Sequence, residues 1–130
     1  MAAIWTSRIG QGGASELNIT VGSASRPMGK ILAPTKTLVY GHKTYRGDVR
    51  FSGYKPLDDA MYREQYLDLI RSRFQRHQSL FRALFERDEL TLSCYCRSDQ
   101  LFCHRHIVAQ TILAGCASYF EMAYDYRGEC

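Results

Sequence analysis

No apolar run in this sequence approaches the roughly 18 residues that a helix needs to cross a bilayer. The opening Met1-Ala2-Ala3-Ile4-Trp5 also lacks a basic stretch followed by an apolar one, as an export signal would have. A membrane protein is therefore not expected, and a cytoplasmic location is. The five cysteines are neither even in number nor evenly spread, because Cys94, Cys96 and Cys103 fall within ten residues that lead straight into His104 and His106. That argues against a secreted disulfide framework and for a metal, catalytic or redox cluster in a reducing compartment. A strong charge of one sign is missing too. A net +4 on 130 residues is modest, so charge alone does not specify a partner.

What is present is a chain long enough for one compact domain, residues 1–130, and too short for two ordinary ones. Hydrophobic residues make up 45% and charged residues 23%, close to the globular average. Of the 17 basic side chains, 13 are arginine, the residue suited to bidentate contacts with phosphate or carboxylate.

Ala3-Ile4-Trp5-Thr6-Ser7 reads as a strand that ends before the glycines at 10, 12 and 13. Leu17–Val21 alternates apolar and polar residues and is expected to be a second strand. Residues 28–55, with Pro34 and glycines at 29, 41, 47 and 53, read as a long irregular stretch in which only Lys36–Tyr40 resembles a strand. From Pro56 the spacing of Met61, Tyr66, Leu69, Ile70 and Phe74 predicts a helix, with proline in its first turn and Asp58 and Asp59 at its positive end. A second helical face, Leu80, Phe81, Leu84 and Phe85, follows, so the segment is either one long helix or two separated near residues 75–78. Leu90–Cys96 reads as a strand, Arg97–Gln100 as a polar turn, and Ile107, Val108, Thr111 and Ile112 mark a third helix with Gly115 as its C-terminal cap. The tail, to Cys130, is expected to add an edge strand. Alternating strands and helices define the α/β class.

Chemistry concentrates at Cys94-Tyr95-Cys96 and Cys103-His104-Arg105-His106. In open α/β sheets, ligands bind beyond the carboxyl ends of strands, where the next helix begins. The first N–H groups of that helix have no partner within it and attract anions, which Arg105 and a protonated histidine would reinforce. The expected guest is a phosphate or carboxylate. The same field favours a thiolate, making Cys103 the candidate nucleophile, with His104 as acid or base. Zinc is the alternative, since Cys94, Cys96, Cys103 and either His104 or His106 supply four ligands, although one residue between Cys94 and Cys96 is a closer spacing than structural zinc sites favour. A purely structural role for Cys94, as a small core residue, is the third.

The run Leu90–Cys96 followed by Phe102-Cys103-His104-Arg105-His106-Ile107-Val108-Ala109 resembles the signature of the domain-of-unknown-function family 488. Ile4–Arg8, Leu32-Ala33-Pro34, the Tyr54 region and Tyr126–Glu129 are similar as well. The resemblance implies a small Rossmann-like three-layer domain of bacteria and phages, with a mostly parallel sheet and helices on its faces. It also implies motif residues converging beside the first strand: Cys94, Cys103, His104 and Arg105, with Thr6 and Arg8 as neighbours. Cys96 and His106 are additions to that pattern. It hands over no activity.

The function expected is binding of a nucleotide or another phosphorylated ligand at the Cys103-His104-Arg105 helix start, with or without chemistry on it. Thr6, Arg8, Tyr54, Cys94 and Arg105 are the candidate binding residues, Tyr54 by stacking on a base. The competing classes are a non-enzymatic phage-type protein that sequesters a nucleotide or inhibits a partner, and a zinc-stabilised interaction module using Cys94, Cys96, Cys103 and His106. Nucleic-acid binding through Arg63, Arg71, Arg73, Arg76, Arg82 and Arg87 is the weaker option, because Glu64, Asp68 and Glu86 alternate with them as on a solvated helix face. Oligomeric state is not legible.

Overall fold

The computed structural model describes residues 3–11, 13–25, 27–95 and 103–129. The expected turn Arg97–Gln100, the last residue of the expected strand, Cys96, and Cys130 lie outside the described residues. Four strands, β1 (Ala3–Arg8), β2 (Glu16–Asn18), β3 (Glu89–Cys94) and β4 (Asp125–Glu129), form one sheet in the order β2-β3-β1-β4. Every pairing is parallel. β3 is buried at every position from Leu90 to Cys94, which requires cover on both faces of the sheet. The α/β class expected from the pattern, and the Rossmann-like form that the family resemblance implies, are the ones observed.

The chain leaves β1 for β2, across β3, and leaves β3 for β4, across β1. The exits of the adjacent strands β1 and β3 thus run in opposite directions. Their carboxyl ends, Arg8 and Cys94, are register partners and mark the topological switch point, where such sheets open a crevice. The connection to β2 is short. Ile9 N–H donates to the Cys94 carbonyl at 3.0 Å, and Gly10 and Gly13, with φ of +89° and +68°, supply the reversal that lets the chain fold back over the end of β3.

Residues 28–55, expected to be irregular, carry two helices: α1 (Met28–Leu32) and α2 (Lys36–Tyr45). The β-branched and aromatic run Thr37–Tyr40 imitates a strand, but the Thr35 hydroxyl accepts from Leu38 N and starts a helix that buries Leu38, Gly41 and His42. The i, i+3, i+4 spacing was hidden because its middle member is a glycine. A Cβ at Gly41 would stand 2.6 Å from the Lys55 carbonyl oxygen and 3.0 Å from Leu57, which also donates its N–H to Gly41 O at 3.0 Å. Gly41→Ala is expected to cost about 1.5 kcal/mol through this overpacking, read as a lower urea midpoint; an unchanged midpoint would show that the 55–57 loop yields freely.

α3 (Asp59–Arg76) is capped by Asp58, whose carboxylate accepts from Met61 N at 2.8 Å, so Pro56 precedes the helix rather than sitting in its first turn. Tyr62, Tyr66 and Ile70 form its buried stripe. Its Arg73 donates to the carbonyls of Ile31 at 3.0 Å and Ala33 at 2.6 Å, and Tyr66 Oη donates to Leu32 O, so α3 satisfies the open end of α1. Of the two alternatives for this segment the structure has two helices: the chain breaks at His77, and α4 (Gln78–Phe85) buries Phe81, Leu84 and Phe85.

After Cys103 come α5 (His104–Ile107), a π-helical stretch (Val108–Ile112) and α6 (Leu113–Tyr119), with no residue between them. Gly115 lies inside α6 and is not the cap expected of it; the helix continues because its buried residues Leu113, Cys116 and Ala117 keep helical spacing past it. No helix among the described residues is long and apolar enough to cross a membrane.

Candidate functional site

Cys94 ends β3 and Cys103 is the N-cap residue of α5, so strand end and helix start bring two sulfurs together. They stand 3.1 Å apart and are buried, at 1% and 4% exposure. Cys103 gives its neighbour no side-chain cap bond; its sulfur lies 3.9 Å from His104 Nδ1. His104 is itself buried, and its Nε2 is 2.9 Å from the Ile19 carbonyl. A carbonyl only accepts, so the neutral ring carries its proton on Nε2 and turns the Nδ1 lone pair toward Cys103. Burial holds the imidazole below its usual pKa, against the opposing pull of Cys94 and the Ile19 carbonyl. It is a base or a ligand, not a resident cation.

Arg105 points away from any open helix start. Fully buried, its guanidinium donates from Nη1 to Cys94 Sγ at 3.0 Å, from Nη2 to Glu129 Oε2 at 2.8 Å and from Nε to Glu129 Oε1 at 3.3 Å. Burial alone would lower its pKa, but the Glu129 carboxylate and the two sulfurs outweigh that and raise it. By reciprocity, the guanidinium favours negative charge on the sulfurs.

Glu129 reaches this place through a register shift. β4 pairs Tyr126 with Ile4, then slips by one so that Gly128 pairs with Trp5 and Glu129 with Thr6. A one-residue slip moves a side chain to the other face of a sheet, and Gly128, at φ +102°, accommodates it. Burial would raise the Glu129 pKa, yet the Arg105 guanidinium and the Thr6 hydroxyl hold it below the usual carboxylate range. Thr6 Oγ1 also lies 3.0 Å from Tyr126 Oη.

In front of this cluster opens a cleft of about 280 Å³. It is lined by Cys94, Cys103 and His104, by Tyr40, His42, Lys43 and Arg46 of α2 and its C-terminal end, and by Tyr62 of α3. His42 Nε2 is 2.6 Å from Asp59 Oδ1. Lys43 Nζ lies 5.1 Å from the Phe51 ring centroid, and no described ion pair involves Lys43 or Arg46. Thr20, 8% exposed, also lines the cleft, and its hydroxyl has no hydrogen-bond partner among the described residues.

Of the expected site residues, Cys94, Cys103, His104 and Arg105 converge, with Thr6 behind Glu129. Arg8 is exposed beside Cys94 in the register, and Tyr54 does not line the cleft but packs edge-on against Tyr40, which does, at 5.2 Å. As a metal set, the structure groups Cys94, Cys103 and His104, with ligand atoms all within 4.8 Å; His104 takes the place expected of His106, and Cys96 lies outside the described residues. The sequence reading missed Thr20, His42, Lys43, Arg46 and the role of Glu129. One signal was there: Val39, His42, Lys43 and Arg46 stand at i, i+3, i+4 and i+7, one face of a helix.

Fold and site together define a small Rossmann-like α/β domain with a buried sulfur, imidazole and guanidinium cluster at the switch point of its sheet. The chain belongs to the domain-of-unknown-function family 488: the family model described as "Active DUF488-N3 subclade" matches residues 27–115. The match takes in Cys94, Cys103, His104 and Arg105 and leaves out β1, β2 and β4. No curated protein and no solved structure matches the chain.

Proposed function

We propose that the cleft binds a phosphorylated, nucleotide-like ligand and presents it to Cys103 and His104. The observation that carries this reading is the cleft's composition: a thiol and imidazole pair shares its lining with two cations, Lys43 and Arg46, that make no ion pair among the described residues, and with a buried hydroxyl, Thr20, that has no hydrogen-bond partner among them. Buried polar groups ordinarily find partners, and a ligand would supply one. Lys43 and Arg46 are suited to a phosphate, and Tyr40 and Tyr62 add aromatic surface to the same lining. In chemistry on the ligand, His104 Nδ1 would take the Cys103 proton and the thiolate would attack the bound electrophile. The description of the matching subclade as active agrees with a site that keeps both groups.

Calorimetric titration with AMP and adenosine tests it. AMP is expected to bind about tenfold more tightly than adenosine, about 1.4 kcal/mol, and Lys43→Ala to remove most of that preference. Equal affinity for the two probes would take the phosphate out of the reading.

The Cys94, Cys103 and His104 group favours a second reading, zinc in the same place. Two soft sulfurs and an Nδ1 lone pair lie within 4.8 Å of one another, and the Nε2–H bond to Ile19 O is the kind of outer contact that orients a ligating histidine. Three protein ligands with an opening to the cleft would let the metal supply Lewis-acid chemistry. Native mass spectrometry is the test: zinc at one per chain, lost in His104→Gln, supports it, and a metal-free mass after incubation with excess zinc excludes it.

A further inference from the structure

The two sulfurs of this site are placed for more than ligand contact. Cys94 ends a strand buried on both sides and Cys103 opens a helix, so each is held by regular structure, and only eight residues separate them in sequence. At 3.1 Å they need approach by about 1 Å to reach disulfide bonding distance. We infer that Cys94 and Cys103 form a reversible disulfide that closes the site under oxidising conditions, a regulation that rests on the ligand-binding role assigned to the cleft.

The chemistry uses groups already in place, with a hydroperoxide as oxidant. His104 Nδ1, 3.9 Å away, accepts the Cys103 proton. The thiolate attacks the terminal peroxide oxygen, the O–O bond breaks, and with hydrogen peroxide the departing hydroxide takes a proton to leave as water. Cys103 is now a sulfenic acid. Cys94, whose thiolate form the Arg105 Nη1–H bond at 3.0 Å favours, attacks the sulfenic sulfur; the S–O bond breaks as the S–S bond forms, and the departing hydroxide takes up the proton that Cys94 gives up and leaves as a second water. Two thiols are oxidised by two electrons as one peroxide is reduced to two waters. A dithiol reductant reverses the step by thiol–disulfide exchange.

Access and selectivity follow from placement. Both cysteines line the open cleft, which admits a small oxidant. Cys116, buried in α6, lines a different groove and burial pushes its thiol up to about 11, leaving it little thiolate with which to compete. Closing the S–S bond removes both sulfurs as nucleophile or ligand and takes away the acceptor of the Arg105 bond, so the wall of the cleft must rearrange.

The test treats reduced, full-length protein with hydrogen peroxide, blocks remaining thiols with N-ethylmaleimide and maps cross-linked peptides by mass spectrometry. The expected result is a loss of about 2 Da with a Cys94–Cys103 link, reversed by dithiothreitol, and a weakening of AMP binding by about tenfold or more in the oxidised form. Cys94→Ser should stop at a Cys103 sulfenic acid that dimedone traps. A link formed instead through Cys96, Cys116 or Cys130, sulfinic acid at Cys103 with no link in the unaltered protein, or AMP affinity unchanged by the link each overturns the switch. Reduced protein that binds no AMP sinks the ligand assignment, and the peptide map then decides the redox pair alone.

Discussion

Glu129→Ala is expected to lower the unfolding free energy by about 3 kcal/mol, the cost of removing one partner from a buried ion pair. Arg105 is fully buried and Glu129 is about a quarter exposed; the carboxylate takes the Nε and Nη2 donors together. Without it, the guanidinium keeps its desolvation cost and loses its main compensation. Replacing both residues, as in Arg105→Met with Glu129→Ala, should recover part of the loss, because no buried charge is then left behind. Urea denaturation of the two single variants and the double gives the coupling directly. If Glu129→Ala costs under about 1 kcal/mol, the cluster is not held from β4. A functional readout separates position from mere stability: with Arg105 released from its carboxylate, alkylation of Cys94 should change in rate while Cys116, remote from the pair, reacts as before.

The second large effect concerns acid. His104 is buried with its folded pKa held below the ordinary imidazole value, burial being the principal cause. Above the unfolded value of about 6.5 both states are neutral at this residue and stability is unaffected. Below it the unfolded chain takes up a proton that the folded chain refuses, so stability falls with pH at up to about 1.4 kcal/mol per unit until the folded pKa is reached. Unfolding followed between pH 7 and 5 in the presence of a chelator should show that slope, and His104→Gln should flatten it while keeping a donor for the Ile19 carbonyl. Parallel slopes for the two proteins would assign the acid sensitivity elsewhere. Glu129, with its pKa held low, contributes stability above the ordinary carboxylate range and loses it only as pH falls through its lowered folded value, so its contribution lies at lower pH than that of His104.

Much of the architecture was legible without coordinates. The β-prone run Ala3–Ser7, the strand face of Leu90, Leu92 and Cys94, and the stripe on α3 are direct records of burial, and hydrophobic period is the signal that survives in a single sequence; that Thr91 and Ser93 are buried as well came from the structure. The helices α1 and α2 were not legible. Lys36–Tyr40 has strand-like composition, and what makes it a helix is the Thr35 cap together with the close approach of the 55–57 loop to Gly41, a contact made with residues far along the chain. Gly115 failed as a cap for a related reason: local composition suggested a stop, while packing of Leu113, Cys116 and Ala117 carries the helix past it.

The candidate site divides the same way. By itself, the sequence determined that Cys94, Cys103, His104 and Arg105 would gather where a strand ends and a helix begins, because that junction is set by local periodicity and lies at the binding end of a parallel sheet. Only the tertiary structure decided what each one does there. Arg105 turns inward to Glu129 rather than outward to an anion, since a one-residue slip of β4 against β1 puts that carboxylate beside it. Lys43 and Arg46 become the cations of the cleft because one face of α2 and its C-terminal end lines the same space as Cys94 and Cys103. Pairings between residues some twenty to sixty apart depend on how elements pack, and no spacing along the chain encodes that.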